Sequence, residues 1–158
     1  MIQETRDFDV RHVLSLVIPG QPVPKGRPRF ARVGGFVKAY TPDKTRAYER
    51  LVHDFAAIEV IRAKPIVFPL ICPLRVVLNA YMTVPVSWAK KKQHDAINGL
   101  ILPTSKPDFD NLLKTLDGLN GLVWNDDAQI VDGRAIKRYS ENPRMEVDIF
   151  EILTQSTA

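Results

Sequence analysis

Between Pro19 and Pro42 the chain reads PGQPVPKGRPRFARVGGFVKAYTP, and no regular helix can pass through it. Pro22, Pro24 and Pro28 lack a backbone donor, while Gly26, Gly34 and Gly35 favour turns. The stretch is therefore a long loop, with a hairpin turn indicated at Gly34-Gly35. It separates an N-terminal strand from the rest of the chain. That strand is VLSLVIPG, residues 13–20, where Leu14, Leu16 and Ile18 alternate with Val13, Ser15 and Val17 and Pro19-Gly20 ends the run.

After the loop the periodicity turns helical from Asp43 to Arg62. Tyr48, Leu51, Val52, Phe55 and Ile58 or Glu59 fall near a 3.6-residue repeat, with Lys44, Arg46 and Arg50 elsewhere on the wheel. Pro65 and Pro69 bound a linker. LRVVLNAYMTV, 74–84, reads as a strand. SWAKKKQHDAING, 87–99, reads as a second helix capped by Ser87 and stopped at Asn98-Gly99. DNLLKTLDGLNG, 110–121, reads as a third, with Asp110 as its cap, a stripe of Leu112, Leu113, Leu116 and Leu119, and a stop at Asn120-Gly121. LVW, 122–124, is a short strand and NDD, 125–127, a turn. Residues 129–140 and 144–152 are the last two strands, Met145, Val147 and Ile149 alternating with Glu146 and Asp148 in the second. The fold class is α/β (α+β mixed): a small mixed sheet with helices packed against it. The length suits one domain over residues 1–158, with 1–12 expected to form a flexible tail.

No apolar run approaches the ~18 residues of a membrane span, and the polar start MIQETRDFDVRH has no apolar signal core. A cytoplasmic location without a membrane partner is expected. Cys72 is the one cysteine, which excludes an intrachain disulfide and a cysteine-rich zinc site. His12, His53 and His94 have no ligand spacing.

The net charge of +4 is unevenly spread. Lys25, Arg27, Arg29, Arg32, Lys38, Lys44, Arg46 and Arg50 crowd residues 22–50, against only Asp43 and Glu49; the remainder of the chain is slightly acidic. A positive arm on such a body suits a polyanion, with Lys90, Lys91 and Lys92 as a second basic run. Phe30, Phe36 and Tyr40 interleave with the arm. They read either as stacking faces for an unpaired base or as pins holding the loop to the domain.

KPDFDNLLK, 106–114, carries the chemistry. Asp108 lies in an extended segment after Pro107 and Asp110 at a helix start. Carboxylates spaced by two on an extended chain point to one side, and their repulsion is relieved by a proton or a cation. Hard oxygen donors suit Mg²⁺ or Mn²⁺. One of Asp126 and Asp127 is expected to return to this end, since a ten-residue helix of ~15 Å is matched by a returning strand. Lys114, one turn after Asp110, lies on its face. Acids and a lysine around a metal, on a basic protein, suit phosphodiester hydrolysis. Each part alone has a plainer reading: a surface Asp-x-Asp, a helix cap, a turn, a solvated lysine.

In sequence order, IPGQPVPKGRPRF, YTPDKTRAYE, SWAKKK, KPDFDNLLK, LDGLNG and VWNDDAQI resemble the RusA-like family of Holliday junction resolvases, endonucleases common in prophages. The resemblance runs from about Leu14 to Ile149. It implies a small mixed α/β fold, a homodimer, and Mg²⁺-dependent cutting of four-way junction DNA in recombination and repair, with Mn²⁺ able to substitute. It implies Asp108, Asp110 and Asp127 as metal-binding acids, Lys114 as the catalytic lysine, and Asp126 as a support either of the loop or of the metal-binding acids. Lys25, Arg27, Arg29, Arg32 and Lys38, with Lys90, Lys91 and Lys92, are the expected DNA contacts. One departure stands out: Lys114 leads to Asp117 through one residue fewer than the family pattern, a shift of about 100° on a helix. Two rivals are a junction-binding protein without catalysis and a nucleotide hydrolase; the latter wants a Gly-rich phosphate loop that the sequence lacks.

Overall fold

The computed structural model describes residues 7–154. The alternating segments form a four-stranded mixed sheet. β1 (Val10–Pro19) pairs antiparallel with β6 (Arg144–Ile152), and β6 pairs antiparallel with β4 (Leu74–Thr83). β4 in turn pairs parallel with β5 (Ile130–Ser140), giving the order β1-β6-β4-β5. β2 (Arg29–Val33) and β3 (Phe36–Tyr40) make a separate two-stranded ribbon around Gly34-Gly35.

Period-two patterning decides which sheet face is covered. Leu14, Leu16 and Ile18 of β1, Val76, Leu78, Ala80 and Met82 of β4, and Met145, Val147 and Ile149 of β6 are all buried. Helix α1 (Asp43–Arg62) lays Tyr48, Val52 and Ala56 on this core, with Leu51 and Phe55 partly covered beside them. The other face carries Ser15, Val17, Glu146 and Asp148 and meets water, as antiparallel sheets tolerate. The fold is therefore the mixed α+β arrangement expected from the pattern.

Parallel partners cannot be joined by a tight hairpin. The β4-to-β5 connection holds α2 (Lys90–Ile97), α3 (Phe109–Leu113), a 3₁₀ segment at Lys114–Leu119 and a 3₁₀ turn at Asp127–Gln129. Asp108, Asp110, Asp126 and Asp127 all lie in this crossover.

Four boundaries differ from expectation. Residues 110–121 are not one α-helix but α3 followed by 3₁₀ winding. Thr115 Oγ1 donates to the Leu112 carbonyl at 2.6 Å, competing with the helical ladder, and Gly118 weakens it further. LVW is not a strand: Leu122 and Val123 N–H groups both bond the Leu119 carbonyl, and Trp124 makes only isolated bridges to Leu70 and Asn120. Three apolar residues are too few to distinguish a strand from a buried turn, and Val123 and Trp124 are fully buried. α2 begins at Lys90 after Ala89, not at Ser87, because the Trp88 N–H turns back to the Pro85 carbonyl and the Trp88 ring packs edge-on to Tyr139 at 5.4 Å. β1 begins at Val10, so residues 10–12, expected in the tail, are strand; residues 1–6 lie outside the described residues. No helix among the described residues is long and apolar enough to cross a membrane.

Leu112 is fully buried and Phe109, on the same short helix, is 56% exposed. Leu112→Ala is expected to cost about 3 kcal/mol of unfolding free energy through the cavity it leaves. Phe109→Ala is expected to stay within about 0.5 kcal/mol. Urea denaturation of the two variants measures the contrast.

Candidate active site

The first pair of acids is set by the start of α3. Asp108, with extended backbone (φ −68°, ψ 152°), is the cap position, and its carbonyl accepts from the Leu112 N–H at 3.2 Å. Asp110, expected as the cap, stands in the first turn instead. There it is four residues before Lys114, and the Lys114 Nζ donates to Asp110 Oδ2 at 3.0 Å. Both side chains are more than half exposed. The bond from Lys114 holds the Asp110 carboxyl below the usual carboxylate range, against the opposing effect of partial desolvation.

The second pair sits at the entrance to β5. Asp126 Oδ1 accepts from the Ala128 N–H at 2.8 Å, and the Asp126 N–H donates to Gln129 Oε1 at 2.9 Å. This reciprocal cap occupies the Asp126 carboxylate. The Gln129 amide nitrogen donates to the Leu70 and Cys72 carbonyls at 2.9 and 3.0 Å, tying the turn to the segment before β4. Asp127 is left to face a cleft of about 310 Å³, which it shares with Lys114 and Asp117 above a floor that includes Leu116 and Trp124.

Lys114 thus stands between Asp110, which it bonds, and the cleft of Asp127. Asp108 opens on a neighbouring depression of about 480 Å³ with Lys25, Arg27, Lys106 and Asn111. Asp127 reaches the cleft beside Lys114 through a buried turn, not a strand, and neither Asp108 nor Asp110 lines that cleft. Among the described residues, no three acid, histidine or cysteine side chains gather closely enough to ligate one ion. The donors nevertheless match a hard divalent cation in kind. They are carboxylate oxygens, and Mg²⁺ keeps several waters and is usually held by one or two carboxylates plus substrate phosphates.

The basic residues divide. Lys25 is not free: its Nζ lies 2.9 Å from Asp117 Oδ2 and 3.4 Å from Glu49 Oε1. The Asp117 hydrogen bond holds the Lys25 ammonium above the usual lysine range. The Lys25 N–H also reaches the Asn111 carbonyl, and the Gly26 N–H the Thr45 hydroxyl. Lys25 is an internal pin between the loop, α1 and the 3₁₀ segment. Among the described residues no carboxylate pairs with Arg27, Arg29, Arg32, Lys38, Lys90, Lys91 or Lys92. Lys92 lies 3.9 Å over the Trp88 ring.

Two supports escaped the sequence reading. Lys137 of β5 donates to the Ser105 and Pro107 carbonyls at 2.7 and 3.0 Å, holding the loop that presents Asp108. Gln129 carries the Asp126-Asp127 turn. Gln129 had a signal, as the polar last member of DDAQ. Lys137 had none, since a lysine on a strand reads as solvated.

Lys114→Met is expected to release the Asp110 carboxyl upward toward its ordinary value near 3.9. The wild-type group stays ionised to lower pH, and its Lys114 bond is lost only as pH falls through that depressed value. Carboxyl-carbon NMR titration of both proteins reads this. Gln129→Ala leaves the Leu70 and Cys72 carbonyls without that donor and is expected to cost about 1–3 kcal/mol in chemical denaturation.

The family model for the endodeoxyribonuclease RusA matches residues 19–150. The uncharacterized protein YqaN of Bacillus subtilis (strain 168) is 37% identical over 142 residues, covering 88% of this chain and 96% of that protein. The match takes in the ribbon, the whole crossover with its acids and Lys114, β5 and most of β6. The chain belongs to the RusA endodeoxyribonuclease family of Holliday junction resolvases.

Proposed function

We propose that the protein is a Mg²⁺-dependent endonuclease that resolves four-way DNA junctions by paired phosphodiester cuts, acting as a homodimer in recombination and repair. The observation that carries this reading is Lys114 standing between Asp110 and the cleft that holds Asp127. Asp108, Asp110 and Asp127 are the carboxylates offered to the cation, one or two at a time beside DNA phosphate oxygens, with Mn²⁺ as a substitute. When bound, the cation supplies charge neutralisation at the phosphate and a more acidic water. Lys114 contributes an ammonium that can pass from Asp110 to the negative charge growing on the phosphate or leaving oxygen. Asp126 and Gln129 hold Asp127 in place, and Lys137 holds the strand of chain that ends in Asp108.

Arg27, Arg29, Arg32, Lys38 and Lys90 to Lys92 would neutralise DNA phosphates, while Lys25 acts from inside by fixing Asp117. A four-way junction has approximate two-fold symmetry. Two identical sites related by a two-fold axis supply the opposed cuts that clean resolution requires.

Asp108→Asn is expected to keep junction binding while Mg²⁺-dependent cutting disappears; parent-like cutting by the variant refutes the role of Asp108. Lys114→Ala is expected to slow cutting by about 10²–10³-fold with binding little changed. Single-turnover cleavage beside gel-shift binding separates the two effects. A parent protein that binds junctions yet never cuts them with Mg²⁺ or Mn²⁺ is a binding module instead.

A further inference from the structure

We propose that the β2–β3 ribbon is a wedge that enters the branch point, and that its apolar tip, not its cations, tells branched DNA from duplex. This rests on the junction substrate proposed above.

The ribbon pairs Arg29 with Tyr40, Phe30 with Ala39, Ala31 with Lys38, Arg32 with Val37 and Val33 with Phe36. One face carries Arg29, Ala31, Val33, Phe36, Lys38 and Tyr40; the other carries Phe30, Arg32, Val37 and Ala39. Both faces are open. Only Ala31 is half-buried; Phe36 is 81% exposed and Phe30 72%. Gly34 and Gly35 both have positive φ (58° and 88°), the tight turn whose twist suits a hairpin. These aromatics do not pin the loop to the body.

A two-stranded ribbon is marginally stable by itself in water, and this one adds exposed phenylalanines at its end. From Arg27 to Tyr40 it holds four cations and no acid, which selects a polyanion as occupant over an apolar protein surface. Its root is the rim of the proposed site: Lys25, Gly26 and Arg27 line the same depression as Asp108. Five residues per strand reach ~17 Å from that rim. DNA bound at the site therefore meets the ribbon.

Duplex DNA offers phosphates to Arg29, Arg32 and Lys38 but nothing to Val33 and Phe36, because stacked pairs cover one another's faces. At a branch point the terminal pairs lose a neighbour, and inserted apolar side chains can cover the bared faces. The cations therefore supply affinity for any DNA, and the tip supplies selectivity.

The test compares Val33→Ser/Phe36→Ser with Arg32→Ala/Lys38→Ala, binding a four-way junction and a linear duplex of equal length without divalent metal. 2-Aminopurine at the branch point reports unstacking. Stacking worth about 1–3 kcal/mol per base predicts that the tip variant lowers the junction-to-duplex preference about tenfold. It also loses the fluorescence rise, while its duplex affinity holds. Phe36→Tyr restores both. The cation variant weakens both DNAs together and flattens the salt dependence. A tip variant with parent-like preference and fluorescence overturns the wedge while leaving the nuclease reading intact. A tip variant that sediments at half the parent mass also overturns it, because a second copy then covers the ribbon. A parent without junction preference removes the substrate reading, and the wedge with it.

Discussion

The parallel pairing of β4 with β5 is the constraint on which the rest of the structure depends. Parallel neighbours demand a long crossover, and here that crossover holds every acid of the proposed site. Register matters as much as pairing. Arg75 sits opposite Asp132, and its Nε donates to Asp132 Oδ2 at 2.6 Å in a largely covered setting. A slip of one residue would separate that pair and turn the inward face of β5 outward. Asp127 lies just before Ile130, where β5 begins, so the register that satisfies Arg75 also sets where Asp127 emerges.

A crossover of this length is held by polar pins more than by regular structure. Lys137 grips its carbonyls ahead of Asp108, Gln129 grips the segment before β4, and Lys25 ties the N-terminal loop to the 3₁₀ segment through Asp117. Each pin joins segments far apart in sequence. Lys25, Glu49 and Asp117 together are net negative, which makes this cluster a brace, in contrast to the unpaired cations further along the ribbon.

The winding tightens between Lys114 and Asp117, where the sequence has one residue fewer than the expected family pattern. An α-helix turns about 100° per residue and a 3₁₀ helix about 120°. Over the three steps from Lys114 to Asp117 the tighter winding gains about 60°, part of the roughly 100° that one further residue would add. Thr115, bonded back to the Leu112 carbonyl, marks where the change begins. In this winding Leu116 and Leu119 reach the core, and Asp117 reaches Lys25.

Much was legible in the chain itself. Period-two alternation specified the strands and their inner faces, Gly34-Gly35 the hairpin and Asn98-Gly99 the end of α2, and the i,i+4 spacing placed Lys114 against Asp110, because all of these are local relations. The broken third helix and the buried turn at Leu122–Trp124 were not legible, since a short apolar run is compatible with several backbones until its neighbours are present. Nor were Lys137 and Gln129 as supports, Lys25 as a brace, or the sharing of one cleft by Lys114, Asp117 and Asp127. Those depend on contacts between residues dozens of positions apart, and only the register of a parallel strand pair decided which of them would meet.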